Sequence, residues 1–237
     1  MKRPDDENMS VTPVKNMETA EYRSNIYNLL SIIYGAEVTE NLLKQIRETN
    51  MFSTLSDMGV VFGDDFLHKP DKELLEDLAV EYARLFLGPD KHISPHESVH
   101  HKRGDGDWGN LWGKSTIEIK KFIETAGLEY KPEYSGLPDH ISVELEFMHE
   151  VIGREARAWE EKDSEGAIYC IKMEKKFIEE HLVKWVPVFC DKIIAEAELS
   201  FYREMAKLTG RFIRFESEEI DKYLVEAKRR ETCSDSA

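Results

Sequence analysis

The sequence predicts an all-α fold, a single-domain bundle of roughly eight to ten helices with a long irregular loop near 88–114. Three observations carry that expectation. Apolar residues recur at helical spacing nearly everywhere, and no run alternates apolar and polar residues over a strand's length. Proline is sparse and clustered, so that 139–186 and 188–237 hold none and are free to form long helices. With 237 residues, 41% of them hydrophobic, the chain carries enough apolar material for one sizeable core. No fixed-period repeat is present, which disfavours a solenoid.

The elements follow in order. Residues 1–15 are polar, acidic and aperiodic and read as a disordered tail, as do 231–237, leaving 16–230 as the helical domain. Helices are expected over 17–34 and 40–48. The next runs over 71–87, where Leu74, Leu75, Leu78, Tyr82, Leu85 and Phe86 form one stripe. Asp71 suits its N-cap, and Gly88-Pro89 stops it. A helix over 116–126 ends at Gly127, and further helices are expected over 139–159, 164–185, 188–208 and 218–230. The last opens on Glu218, Glu219 and Asp221 and closes on Lys228, Arg229 and Arg230, which complements the helix dipole. Two connections, 88–114 and 128–138, break the periodicity, and irregular segments this long in a compact domain are usually functional.

Charge and cysteine content narrow the class. The net charge is −15, which opposes a broad nucleic-acid surface because phosphates are bound through Lys and Arg. Cys170, Cys190 and Cys233 are odd in number, widely spaced and outside any CxxC, so they read as reduced thiols in a cytoplasmic protein. Lys2-Arg3 is followed by Pro4-Asp5-Asp6-Glu7 where a signal peptide needs apolar residues. Leu29–Tyr34 is far short of the ~20 residues that span a bilayer. No membrane insertion is expected.

Several strings carry possible chemistry. His96-Glu97-Ser98-Val99-His100 fits HExxH, which on a helix sets two imidazoles on one face for zinc with the Glu as general base. Ser94 and Glu97 make a possible capping box, with Pro95 at the first helical position. Against a zinc hydrolase, such a helix meets Gly104-Asp105-Gly106 within about two turns, too short for the scaffold a catalytic zinc needs. Gly113-Lys114-Ser115 ends a near-match to a phosphate loop, but Trp108 stands where the first Gly belongs. Asp105-Gly106-Asp107 lacks calcium-loop spacing. In Pro138-Asp139-His140, Pro138 suits the first turn of a helix, and Asp139 and His140 stand beside free N–H groups that favour anions. Two readings stay open there: a binding site, or Asp139 as a cap with His140 pairing to Glu144. Beyond them Ile141, Leu145, Met148 and Ile152 fill one stripe, with Phe147 and Val151 on another. A helix apolar on two sides is central in its bundle.

Together these pieces carry a family resemblance. The run Glu81-Tyr82-Ala83-Arg84-Leu85-Phe86-Leu87-Gly88-Pro89 is followed by Pro95-His96-Glu97-Ser98-Val99. Trp112-Gly113 then opens a helix that ends at Gly127, and Pro138-Asp139-His140 precedes Glu144-Leu145-Glu146-Phe147-Met148. Over about 81–152 this order resembles the TorD/DmsD/NarJ-type chaperones, the redox enzyme maturation proteins of molybdoenzymes. One departure stands out. The family usually has Tyr where this chain has His96, and often where it has His100, which makes the HExxH string a chance replacement of aromatics.

The resemblance implies a cytoplasmic chaperone, not an enzyme, with no cofactor of its own, monomeric or homodimeric. It implies binding of the twin-arginine leader and catalytic subunit of a molybdopterin oxidoreductase, held for cofactor insertion before export. The implied peptide-binding residues are Tyr82, Leu85 and Phe86, then Pro95, Glu97 and Ser98, then Pro138, Asp139 and His140. A leader is a cationic pair followed by an apolar stretch, so its receptor needs an apolar groove with an acidic rim. That groove is expected between the helix of Tyr82–Phe86 and the helix starting at Asp139, with 88–114 as its wall. Asp139 and Glu97 would face the guanidinium groups, and His140, titrating near neutrality, would make binding pH-sensitive. Asp139→Asn is then expected to weaken binding with little loss of thermal stability.

Overall fold

The computed structural model describes residues 5–88, 92–101, 111–130 and 134–234. Among them there is no strand. The helices are α1 (Asp5–Gly35), α2 (Glu40–Arg47), α3 (Thr49–Asp57), α4 (Asp64–Leu67), α5 (Asp71–Tyr82), α6 (Glu97–His100), α7 (Lys114–Thr125), α8 (Ile141–Glu160), α9 (Ser164–Phe177), α10 (Val183–Glu196) and α11 (Ser200–Ser234). Two wider π turns, Ala83–Leu87 and Ile178–Leu182, continue α5 and join α9 to α10. Among the described residues no helix is long and apolar enough to cross a membrane.

As its two apolar stripes predict, α8 is central. It packs along α1 on one side and α9 on the other, while α11 lies against α9 and α10. Ile141, Leu145, Met148 and Ile152 are fully buried, and Phe147 and Val151 nearly so. Ala20, Tyr27, Leu30 and Tyr34 of α1 are buried, with the Tyr27 ring on Phe212 and the Tyr34 ring on Phe86 and Phe189. Burying each such aliphatic side chain is worth about 1.5–3 kcal/mol. Gly127 ends α7 as expected, with φ +65°, the left-handed region where a Cβ is penalised. Its N–H donates to Glu124 O (3.0 Å), and Leu128 N–H donates to Ile123 O (3.1 Å). Cys170 and Cys190 are free, buried thiols, and the side chain of Cys233 lies outside the described residues.

Several boundaries differ from the sequence expectation. Helix α1 begins at Asp5 and α11 runs to Ser234, so both enter stretches read as tails. Residues 1–4 and 235–237 lie outside the described residues. Pro187 does not separate two helices but sits inside α10. The π turn Ile178–Leu182 lies just upstream of it.

The true break comes at 197–199 and is made by distant carboxylates. Glu81 accepts from the N–H groups of Glu198 and Leu199, and Asp65 accepts from Ser200 N–H at 2.7 Å. Helix α11 then runs through Gly210, where no break occurs. Asp71 is the first residue of α5, not its cap, and its carboxylate pairs with Arg47.

One buried ion network ties the bundle together. Arg23 on α1 donates from Nε to Glu216 of α11 (2.8 Å), from Nη1 to Glu155 of α8 (3.0 Å) and from Nη2 to Glu174 of α9 (2.6 Å). All four side chains are nearly inaccessible to water. Burial raises the three carboxyls against the pull of the single guanidinium, and Glu174 reaches about 8.

Candidate leader-binding site

The structure brings the expected site residues together around one segment. Residues 92–101 form a strap between the first π turn and the start of α8. At one end Ile93 N–H donates to Leu85 O (2.7 Å). In the middle Pro95 O accepts from Ile141 N–H (2.8 Å), which satisfies one of the orphan donors at the start of α8. Next, Glu97 N–H donates to Asp139 O (2.9 Å), and His96 bridges His140 in antiparallel fashion with their rings 5.0 Å apart. The space expected to be a groove is filled by this strap.

The side chains beneath it are buried. Tyr82, Leu85 and Phe86 belong to the core. The Tyr82 hydroxyl donates to Tyr34 O (3.0 Å), and the Phe86 ring packs on Tyr34, Tyr82 and Phe189. Pro138 is buried in the turn before α8 and does not form its first helical turn. His140, not Asp139, caps α8: its Nδ1 accepts from Ser142 N–H at 3.2 Å. Asp139 is 0% exposed and caps α6 instead, with Oδ2 accepting from Ser98 N–H at 3.0 Å. Asp139 thus acts as a cap, but on a helix 41 residues away in sequence.

Glu97 and Glu144 form the polar interior. Glu97 Oε1 accepts from His101 Nε2 (2.7 Å) and Oε2 from His181 Nδ1 (2.9 Å). Burial pushes the Glu97 carboxyl up, but these two imidazoles outweigh it and hold the group below its usual range. Glu144 does not pair with His140. Its Oε2 accepts from the Trp185 indole N–H at 3.0 Å, and burial, with Glu97 and Asp139 adding, pushes its carboxyl far up. Ser98 Oγ, Asp139 Oδ1 and Glu144 Oε1 are buried without a hydrogen-bond partner among the described residues. His140 is pushed down to about 4, first by burial and then by His96, so it is neutral at physiological pH. That corrects the expectation of titration near neutrality.

The HExxH residues do not fit a zinc centre. Helix α6 is one turn long, and His96, not Ser94, precedes it without a side-chain capping bond. His96 turns toward His140, whereas the His100 ring packs on Trp185 with its Nε2 2.8 Å from Ser94 O. Both Glu97 oxygens are engaged. Among the described residues no group of three or more His, Cys, Asp or Glu side chains is placed to hold a metal ion. At Gly113-Lys114-Ser115, Thr116 Oγ1 accepts from Gly113 N–H (3.2 Å) and Lys114 turns to Glu118 (3.2 Å). Trp108 and Asp105-Gly106-Asp107 lie outside the described residues.

The open apolar surface at this end lies beside the Pro-Asp-His turn. A cavity of about 310 Å³ has a floor of Ile123, Val143 and Phe147. Glu129, Glu146 and Glu150 stand on its rim. Tyr130 and Tyr134 form a stacked wall with ring centroids 5.8 Å apart. Tyr134 donates to Leu137 O (2.8 Å), which fixes the wall to the turn that carries Asp139. Burial pushes both phenols up to about 12, so they stay neutral. Sequence reasoning missed this cavity. Tyr130, Tyr134 and Glu146 show no periodicity among themselves; only the irregularity of 128–138 marked the region.

The chaperone protein TorD of Vibrio parahaemolyticus is 27% identical over 83% of this chain and 94% of its own length. TorD of Shewanella piezotolerans is likewise 27% identical, over 79% of this chain and 86% of its own. A crystal structure described as a redox enzyme maturation protein from Archaeoglobus fulgidus shares the fold, with a TM-score of 0.50 and 21% identity over 81% of this chain and 93% of that one. Residues 49–191 match the nitrate reductase delta subunit family. More than half of the chain thus carries that signature, and the chain belongs to the nitrate reductase delta subunit family, whose TorD/NarJ-type members are chaperones of redox enzyme maturation and not enzymes.

Proposed function

We propose that the protein is a cytoplasmic chaperone that binds the twin-arginine leader of an apo-molybdoenzyme and holds the catalytic subunit for cofactor insertion before export. The observation that carries this reading is the apolar cavity with an acidic rim beside the Pro-Asp-His turn. A guanidinium stacks on the Tyr130/Tyr134 wall and meets the rim carboxylates, while the apolar stretch of the leader lies on Phe147 and Val143.

The nine residues implied by the family then divide by role. Pro95, Glu97, Ser98, Pro138, Asp139 and His140 hold the strap and the turn that carries the wall. Tyr82, Leu85 and Phe86 anchor the far end of the strap through the core. They position the site, and the rim contacts the peptide. The test is a titration of a labelled leader against the protein, beside the same leader with both arginines replaced by Gln. Binding lost by about tenfold or more with the Gln leader is expected, matching about 1.4 kcal/mol or more. Equal binding of both leaders, or none of either, defeats the proposal.

A further inference from the structure

A second cleft, on the other side of α7, has the opposite charge. It encloses about 750 Å³ between α7 and the α9–α10 segment, and five lysines face it against two glutamates. In a chain of net charge −15 this is a local reversal. Lys114 is paired with Glu118. Lys121, Lys172 and Lys184 are exposed and make no ion pair among the described residues. Lys176 lies 5.4 Å from the centre of the Phe122 ring. The floor between them is apolar, built on Phe122, Met173 and the exposed ring of Tyr169. His181 closes the inner end while its Nδ1 donates to Glu97, so the cleft abuts the strap.

Shape and chemistry select the occupant. From Lys172 to Lys184 the cationic edge runs about 18 Å at 1.5 Å per residue, the length of a short helix rather than one phosphate group. No arginine lines the cleft, so the planar fork that grips phosphate in bidentate fashion is missing. Separated ammonium groups over an apolar floor match carboxylates spaced along a peptide with an apolar face. We infer that this cleft docks an acidic amphipathic segment of a partner protein, its carboxylates on Lys121, Lys172 and Lys184 and its apolar side chains on Phe122 and Met173. The inference stands apart from leader binding, which uses the acidic cavity across α7.

The test is fluorescence anisotropy with a labelled peptide carrying Glu and Leu on opposite helical faces. It is run on the wild type, on Lys121→Glu/Lys172→Glu/Lys184→Glu, and on a control with the same charge change at Lys15, Lys162 and Lys228. All six lysines are exposed, and thermal melts confirm that the variants fold. Saturable binding that weakens about tenfold or more in the cleft variant and in high salt, but not in the control, is expected. Equal affinity for the two variants, or no binding to the wild type, overturns the inference. So does displacement of the peptide by inorganic tripolyphosphate that binds the cleft on its own, since the site would then be one for phosphate. Leader affinity, measured on the same cleft variant, stays unchanged and keeps the two readings distinguishable.

Discussion

Asp139 ties the strap to the turn before α8. Its carboxylate is 0% exposed and its Oδ2 receives the Ser98 N–H at 3.0 Å, while its main-chain carbonyl receives Glu97 N–H. Asp139→Asn keeps an acceptor but loses the charge, the difference between a hydrogen bond worth about 1.5–3 kcal/mol and one worth about 1. A loss of about 1 kcal/mol is therefore expected. Asp139→Ala leaves Ser98 N–H buried and unpaired and costs about 1–3 kcal/mol. For a chain of this length each kcal/mol lowers Tm by roughly 2–4 °C. Calorimetry reads the Tm, and amide hydrogen exchange at Ser98 reads the bond itself. Leader affinity falls only as far as the strap loosens. If Asp139→Asn weakens leader binding while the Tm and Ser98 exchange stay at wild-type values, Asp139 touches the ligand directly and the positioning role is wrong.

Other perturbations address the remaining packing. Arg23→Met strands three buried carboxyls and should cost about 3–5 kcal/mol by denaturant unfolding; a loss below about 1 kcal/mol would show that the network contributes little. Gly113→Ala sets a Cβ 3.0 Å from Ser98 Cβ, and overpacking of about 1–3 kcal/mol is expected in the same assay, unless the strap shifts freely and stability is unchanged. His140, at about 4 in the fold against an ordinary ~6.5, is neutral in both states above pH 6.5. Between 6.5 and 4 only the unfolded chain takes the proton, so stability falls with pH by up to about 3 kcal/mol. His140→Asn keeps a capping acceptor and should flatten that window in a pH series of unfolding curves; identical slopes would contradict the burial argument.

The parts that were legible in the sequence are those with local causes. The 71–87 stripe, the Gly127 stop and the doubly apolar face of α8 each follow from spacing or backbone chemistry within a few residues. Helices α3 and α4 were missed because Thr49–Asp57 and Asp64–Leu67 are short and mostly polar, and tertiary packing around Phe62 and Phe66 secures them. The break before α11 was misplaced at Pro187 because its cause is remote: Glu81 and Asp65 cap backbone donors more than a hundred residues away. The same holds at the site. Its residues were named from the family order, yet Asp139 meeting Ser98, Glu97 meeting His181 and Trp185 meeting Glu144 are all long-range pairs. Both π turns flank this site, one at Leu85-Phe86 and one at His181, and π turns are frequent at functional sites. Neither has a sequence signature.

On the proposed reading the acidic rim, and not the buried Asp139 or Glu97, meets the leader's arginines. A double-mutant cycle tests it most directly, pairing Glu146→Gln/Glu150→Gln in the chaperone with Arg→Gln in the leader and measuring all four affinities by calorimetric titration. Rim and arginine in contact predict a coupling of about 1–3 kcal/mol, with the second change costing far less once the first is made. Losses that add to within about 0.5 kcal/mol would contradict the account and place the arginines elsewhere.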